Sequence, residues 1–141
     1  SPGEVSVRVV SWSVSLGTRE TPTAEVELDF RGRSAKARAT GDGGYDAFMN
    51  ALAKLARRFR LELPRLADFR VRIPPGGRTA ALVETVISWR PASGDEGTFS
   101  TLGVDSDQLA AAVIATEKML NMIAPRAKAR RATRRRASAR P

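Results

Sequence analysis

The stretch from Ala24 to Thr40 fixes its own strand pairing, and that constrains the fold more than any other feature of the chain. Ala24, Val26, Leu28 and Phe30 alternate with Glu25, Glu27 and Asp29. After Arg31-Gly32, Ala35, Ala37 and Ala39 alternate with Lys36, Arg38 and Thr40. Alternation of this kind marks strands with one buried face. A two-residue turn at Arg31-Gly32 sets Leu28 against Ala35, Val26 against Ala37 and Ala24 against Ala39. The same turn sets Glu27 against Lys36 and Glu25 against Arg38. Each such pair contributes about 0.2–1 kcal/mol, and a slip of one residue would destroy both sets.

Around this hairpin the pattern predicts further strands and two helices. Val10, Trp12, Val14 and Leu16 alternate with Ser11, Ser13 and Ser15, which predicts a preceding strand. Gly41-Asp42-Gly43-Gly44 ends the hairpin. A helix is predicted from about Tyr45 to Phe59, since Tyr45, Phe48, Met49, Leu52, Leu55, Ala56 and Phe59 recur at spacings of three and four. Asp42 and Asp46 at its start, and Arg57, Arg58 and Arg60 at its end, complement the helix dipole. The order then repeats. Phe69, Val71 and Ile73 form one alternating run, Val83, Thr85, Ile87 and Trp89 another, and Thr98 to Leu102 a short third. Asp105-Ser106-Asp107 offers capping side chains for a second helix striped by Leu109, Ala112, Val113, Thr116, Met119, Leu120 and Ile123. Pro125 ends it. The prediction is an α+β fold made of duplicated βββα units, with antiparallel sheets packed on two helices and Gly41 and Gly103 offset by 62 residues.

Charge and composition narrow the function classes. The 141 residues suit one domain, and they contain no Cys and no His. Disulfides, thiolate metal sites and the usual histidine-based hydrolytic centres are thereby excluded. No apolar run is long enough to span a bilayer. The start at Ser1-Pro2, without an initiator Met, reads as that of a piece of a longer protein. The net charge of +9 is local: residues 126–141 carry 8 of the 24 basic residues and no acid, leaving 16 basic against 15 acidic residues in the body. The expected organisation is a folded domain over 1–124 and a basic, disordered tail over 125–141. That tail raises the alternative of a small nucleic-acid-binding module. The neutral body and the lack of aromatics between the arginines argue against it.

Two glycine-containing junctions carry the remaining signal. Glycines in Thr40-Gly41-Asp42-Gly43-Gly44-Tyr45-Asp46-Ala47 would let backbone approach a ligand at a helix N-terminus, with Asp42 or Asp46 receiving an ammonium. The same residues equally describe a tight strand-to-helix turn. Gly103-Val104-Asp105-Ser106-Asp107 is either the partner half of such a site or simply a capped helix start. Trp12, Tyr45, Trp89 and Phe99 line a pocket or fill a core. No nucleophile–base pair is recognisable, so catalytic residues, metal ligands and cofactors are all expected to be absent.

In their helix contexts these junctions resemble a known family. Gly41-Asp42-Gly43-Gly44-Tyr45-Asp46-Ala47, continued by Asn50-Ala51-Leu52, resembles the first signature of the C-terminal regulatory domain of 2-isopropylmalate synthase, related to that of citramalate synthases. Ser100-Thr101-Leu102-Gly103-Val104-Asp105-Ser106-Asp107, followed by Ala110-Ala111-Ala112 and Glu117-Lys118-Met119-Leu120-Asn121, resembles the second. Thr21 to Leu28 also fits, and the likeness covers roughly residues 5–124. It implies a cytoplasmic homodimer and a non-catalytic allosteric module. It implies feedback inhibition by a branched-chain amino acid, leucine favoured, acting on the parent enzyme's separate acetyl-CoA-dependent TIM barrel. It further implies effector contacts at Gly41, Asp42, Gly43, Gly44, Tyr45 and Asp46, and then at Gly103, Val104, Asp105 and Asp107. Neither nucleic acid nor membrane is among the implied partners.

Overall fold

The computed structural model describes residues 5–74, 82–94 and 97–125. The predicted tail from 126 onward lies outside them. Strands β1 (Val7–Gly17), β2 (Glu20–Phe30) and β3 (Arg33–Thr40) precede helix α1 (Gly44–Arg58); β4 (Arg65–Arg72), β5 (Val83–Arg90) and β6 (Phe99–Asp105) precede α2 (Gln108–Ile123). The strands form two antiparallel sheets, β1-β2-β3 and β4-β5-β6. The α+β fold with two βββα units is as the sequence predicts.

The β2–β3 register matches the one deduced from charge and apolarity, including Leu28 with Ala35, Glu27 with Lys36 and Glu25 with Arg38. Arg31 and Gly32 both adopt positive φ, 51° and 88°. Such a two-residue turn has the twist a tight hairpin needs. Inward from it, Ala24, Val26 and Leu28 are fully buried against Ala47, Phe48, Ala51, Leu52 and Leu55 of α1. The C-terminus of α1 closes without a glycine: Leu61 N–H bonds Ala56 O at 2.8 Å, Arg60 N–H bonds Arg57 O at 3.2 Å, and Arg60 takes the left-handed conformation.

Four expectations are corrected. The β1 ladder skips a residue between Val9 and Ser11, so Val10 is bulged out and exposed, and the inward set is Val7, Val9, Trp12 and Val14. Leu16 is likewise exposed, near the end of that strand. Phe69 is half-buried, but Val71 and Ile73 are exposed because α2 lies over β5 and β6, not over β4. Finally, β6 runs on to Asp105, so Gly103 belongs to a strand and not to the junction.

The helix N-caps are Gly43 and Asp107, 64 positions apart. Lys54 Nζ donates to Arg38 O and Lys118 Nζ to Leu102 O, both at 2.6 Å and both across sixteen residues. The two units therefore superpose at an offset of 64, not 62. Gly103 corresponds to Ala39, and Gly41 to Asp105.

The units share one interior. Trp89, fully buried, donates from Nε1 to Thr101 Oγ1 at 2.9 Å, and Thr101 donates on to Ala115 O at 2.7 Å. Trp12, Tyr45 and Phe99 are half-buried and pack against the core. Helix α2 is buried over more than a stripe because it serves two surfaces, the β5–β6 face and β1. Among the described residues no helix is long and apolar enough to cross a membrane.

Candidate functional site

The two junctions differ in how their helices begin. At α2 the Asp107 side chain accepts from Ala110 N–H at 3.2 Å, and Asp105 Oδ1 accepts from Asp107 N–H at 2.9 Å. These carboxylates satisfy the helix start themselves. At α1 the N-cap is Gly43, in extended backbone, with no side-chain cap. Asp46 turns back and accepts from Asp42 N–H at 2.7 Å, which fixes the turn. The helix start thus keeps backbone donors and a positive dipole end without a side-chain partner of its own.

The surroundings of that start are apolar on one side. A Cβ built on Gly44 would lie 3.2 Å from Val14 Cγ1, 3.7 Å from Leu109 Cδ2 and 3.8 Å from Leu16 Cδ1, whereas one on Gly43 would meet nothing within 4 Å. Residues from β1 and from the first turn of α2 therefore converge on the N-terminus of α1. Leu16, exposed to 63%, offers an unburied aliphatic side chain at this corner. Asp42 is also exposed. The turn thus brings backbone amide donors next to the aliphatic side chains of Val14, Leu16 and Leu109.

Gly41 is a packing glycine: a Cβ there would overlap Ala47 N and lie 2.7 Å from Asp46 Oδ2. Gly103 is another, pressed against the α2 backbone, and Val104 faces outward from β6. Neither Gly103 nor Val104 stands at a helix start. Tyr45 points away from the corner. Its hydroxyl lies 2.7 Å from Thr116 Oγ1, which itself donates to Ala112 O, so the tyrosine ties α1 to α2. Burial pushes the Tyr45 phenol up to about 12, against a smaller opposing effect of the Thr116 bond. The unfolded chain, with its phenol near 10, gives up that proton sooner than the folded one. Stability is therefore intact below pH 10 and is lost as pH rises from 10 towards 12. Tyr45 is the single tyrosine, so its ionisation can be followed directly by ultraviolet absorbance. The expected titration midpoint is well above 10, and the alkaline fall in Tm between pH 10 and 12 is expected to be reduced in Tyr45→Phe.

Glu117 and Asn121 stand in the second signature, but the sequence assigned them no role. Asn121 Oδ1 accepts from Ser6 N–H at 2.8 Å and Val7 N–H at 2.9 Å, its Nδ2 donates to Val7 O at 2.8 Å, and Glu117 Oε2 accepts from Val9 N–H at 2.8 Å. Their signal was available as a carboxylate and a carboxamide four residues apart, on one face of α2. A shallow open depression beside them, lined by Val5, Arg8, Val9, Val10 and Glu117, lies at the opposite end of β1 from the glycine corner. Among the described residues no group of three His, Cys, Asp or Glu side chains stands ready to hold a metal.

With this geometry in place, comparison decides the family. The family model of the LeuA allosteric (dimerisation) domain matches residues 2–124. The chain belongs to that family. A 2-isopropylmalate synthase of Aquifex aeolicus (strain VF5) is 32% identical over 116 residues, which is 82% of this chain and 21% of that protein. A probable 2-isopropylmalate synthase of Methanopyrus kandleri is 29% identical over 123 residues, 87% of this chain and 24% of that protein. The LeuA-type domain thus spans between a fifth and a quarter of the length of these relatives. It is a regulatory, dimerisation type of domain, and the fold described above is its βββα pair.

Proposed function

We propose that this LeuA-type domain is the effector-sensing part of a 2-isopropylmalate synthase-like enzyme, without catalytic groups of its own, and that it acts as a homodimer. Leucine, or a related branched-chain amino acid, would bind at the N-terminus of α1 and inhibit a distant acyl-transfer site. The observation that carries this is the uncapped start at Gly43-Gly44 beside Val14, Leu16 and Leu109. A carboxylate fits the free amides and the dipole. An aliphatic side chain fits the three apolar groups, and the exposed Asp42 carboxylate would receive an ammonium. Asp46 holds the turn that presents these amides. Asp105 and Asp107 act one step removed, by holding the start of α2 and hence Leu109.

Inhibition at a distance requires only that the effector favour one of two arrangements of the parent enzyme, with a coupling of about 1–3 kcal/mol. The test is thermal denaturation of the domain with leucine, isoleucine, valine and lysine, followed by calorimetry. Leucine or another branched-chain amino acid at a hundredfold excess over Kd should stabilise the domain by about 2.7 kcal/mol, and lysine should do nothing. Asp42→Asn should weaken the response while leaving the unliganded Tm within about a degree. A flat response to every branched-chain amino acid would remove the effector assignment.

A further inference from the structure

We propose that two copies of this chain join along the free edge of β4, antiparallel and centred on Phe69, so that the β4-β5-β6 sheets of both copies form one six-stranded sheet. The inference rests on the dimerisation reading above and deepens it by locating the seam.

The first observation is an asymmetry between the two pseudo-equivalent edges. At the start of β1, the strand edge away from β2 is closed by α2, through Glu117 on Val9 N–H and Asn121 on Ser6 and Val7. The α1 positions 64 residues earlier are Ala53 and Arg57, and neither can make an equivalent closure. Among the described residues β4 pairs only with β5, and no described hydrogen bond closes its other edge. An open edge is a template for another strand, and proteins usually cover it.

The second observation is exposed apolar surface along that strand and its continuation. Leu66, Val71 and Ile73 are exposed to 45%, 39% and 66%. By their partners on β5 (Leu66 with Trp89, Val71 with Thr85), Leu66 and Val71 face the helix side of the sheet, where α2 does not reach them.

The third observation selects the occupant and the register. Asp68 and Arg70 lie on the opposite, outer face, by their pairing with Ser88 and Val86. Antiparallel pairing centred on Phe69 sets Asp68 against the partner's Arg70 and Arg70 against the partner's Asp68. Within one copy these two already touch, at 2.8 Å, so the seam would hold four alternating charges. Centring on Arg70 would set arginine against arginine, and centring on Asp68 would set aspartate against aspartate. Like charges directly opposite are unfavourable. The strand is therefore complementary to a copy of itself about one centre, which is what a twofold interface demands.

The seam would also be linked to the effector corner through Tyr45. Phe69 sits 5.4 Å, centroid to centroid, from Tyr45, the residue following Gly44, and Tyr45 stacks on Phe48 at 6.1 Å. Ordering of the Gly43-Gly44 turn would thus be transmitted to the central residue of the interface.

The experiment is sedimentation equilibrium of the full 141-residue chain, with circular dichroism confirming that each variant folds. Asp68→Arg and Arg70→Asp should each weaken self-association about tenfold, by turning two attractive pairs into repulsive ones. The double variant D68R/R70D should restore it to near the wild-type value. Leu102→Asp, on the outer face of β6, should leave it unchanged. Because the chain has no cysteine, Asp68→Cys mixed with Arg70→Cys should cross-link on oxidation. Either variant alone should not, because two identical positions would sit about 8 Å apart, beyond disulfide reach. If neither reversal weakens the dimer, or the double variant fails to restore it, or Leu102→Asp dissolves it, the seam is elsewhere and dimerisation stands. A wild-type chain that stays monomeric at every concentration, with or without leucine, would overturn the dimer reading and this seam together.

Discussion

Gly103→Ala is expected to cost about 3 kcal/mol, the upper end of the usual penalty for forcing extra atoms into a packed interior. In a domain of this size that lowers Tm by about 10 °C. The reason is what the added methyl would meet. It would overlap the Ala111 carbonyl and lie 2.8 Å from Ala115 N, so the obstruction is helix backbone and not the tip of a movable side chain. Relief requires lifting α2 away from β5 and β6, which would also loosen Met119, Leu120 and the Trp89–Thr101–Ala115 hydrogen-bond chain. Gly43→Ala is the matched control. Its backbone is extended and nothing lies within 4 Å of the new methyl, so the loss should stay under about 1 kcal/mol, mostly from the poorer N-cap. Chemical denaturation of both variants measures the contrast. Equal stability of Gly103→Ala and the wild type would mean that α2 is not seated on β6 at this distance.

The same glycine shows what the sequence could and could not reveal. Alternation and charge together fixed the β2–β3 register down to individual pairs, because the information was local and doubly determined. The helix stripes and the two-unit plan were legible for the same reason. Gly103 looked like a turn residue because turn glycines and close-packing glycines are identical in a one-dimensional string. Only the position of α2, set by long-range packing, distinguishes them. The bulge at Val10 was hidden because an inserted residue leaves a plausible alternation on each side of it. Val71 and Ile73 had the right period but lacked a helix above them, and coverage of a strand is decided by the tertiary arrangement. At the candidate site, Gly43 and Gly44 were recognisable, whereas the aliphatic wall of Val14, Leu16 and Leu109 was not. Those residues are far apart in the chain and meet only because α2 packs on β1 as well as on its own sheet.

Asn121→Ala is expected to be the second severe change, costing about 2–4 kcal/mol. The carboxamide behaves like a short neighbouring strand: one group accepts from Ser6 and Val7 N–H while the other donates to Val7 O. Val7 is fully buried, so its amide and carbonyl cannot recover these bonds from bulk water without disturbing the packing of β1. Leaving such groups unpaired costs about 1–3 kcal/mol each, partly offset by relaxation. Asn121→Asp separates the two halves of this account. It keeps an acceptor for the two N–H groups but sets a carboxylate against Val7 O, so it should fall between the wild type and Asn121→Ala. Asn50→Ala is the control, since Asn50 also donates to a strand carbonyl, Thr40 O, but at an exposed site; its loss should be within about 0.5 kcal/mol. Hydrogen exchange adds a local reading. In Asn121→Ala the Val7 and Val9 amides should lose protection before the β2–β3 amides do, because the start of β1 is held on one side by β2 and on the other by α2 side chains alone. Unchanged protection at Val7 would mean that β1 needs no help from α2. The start of the β1 edge would then be no better closed than the edge of β4 that, among the described residues, has no strand partner.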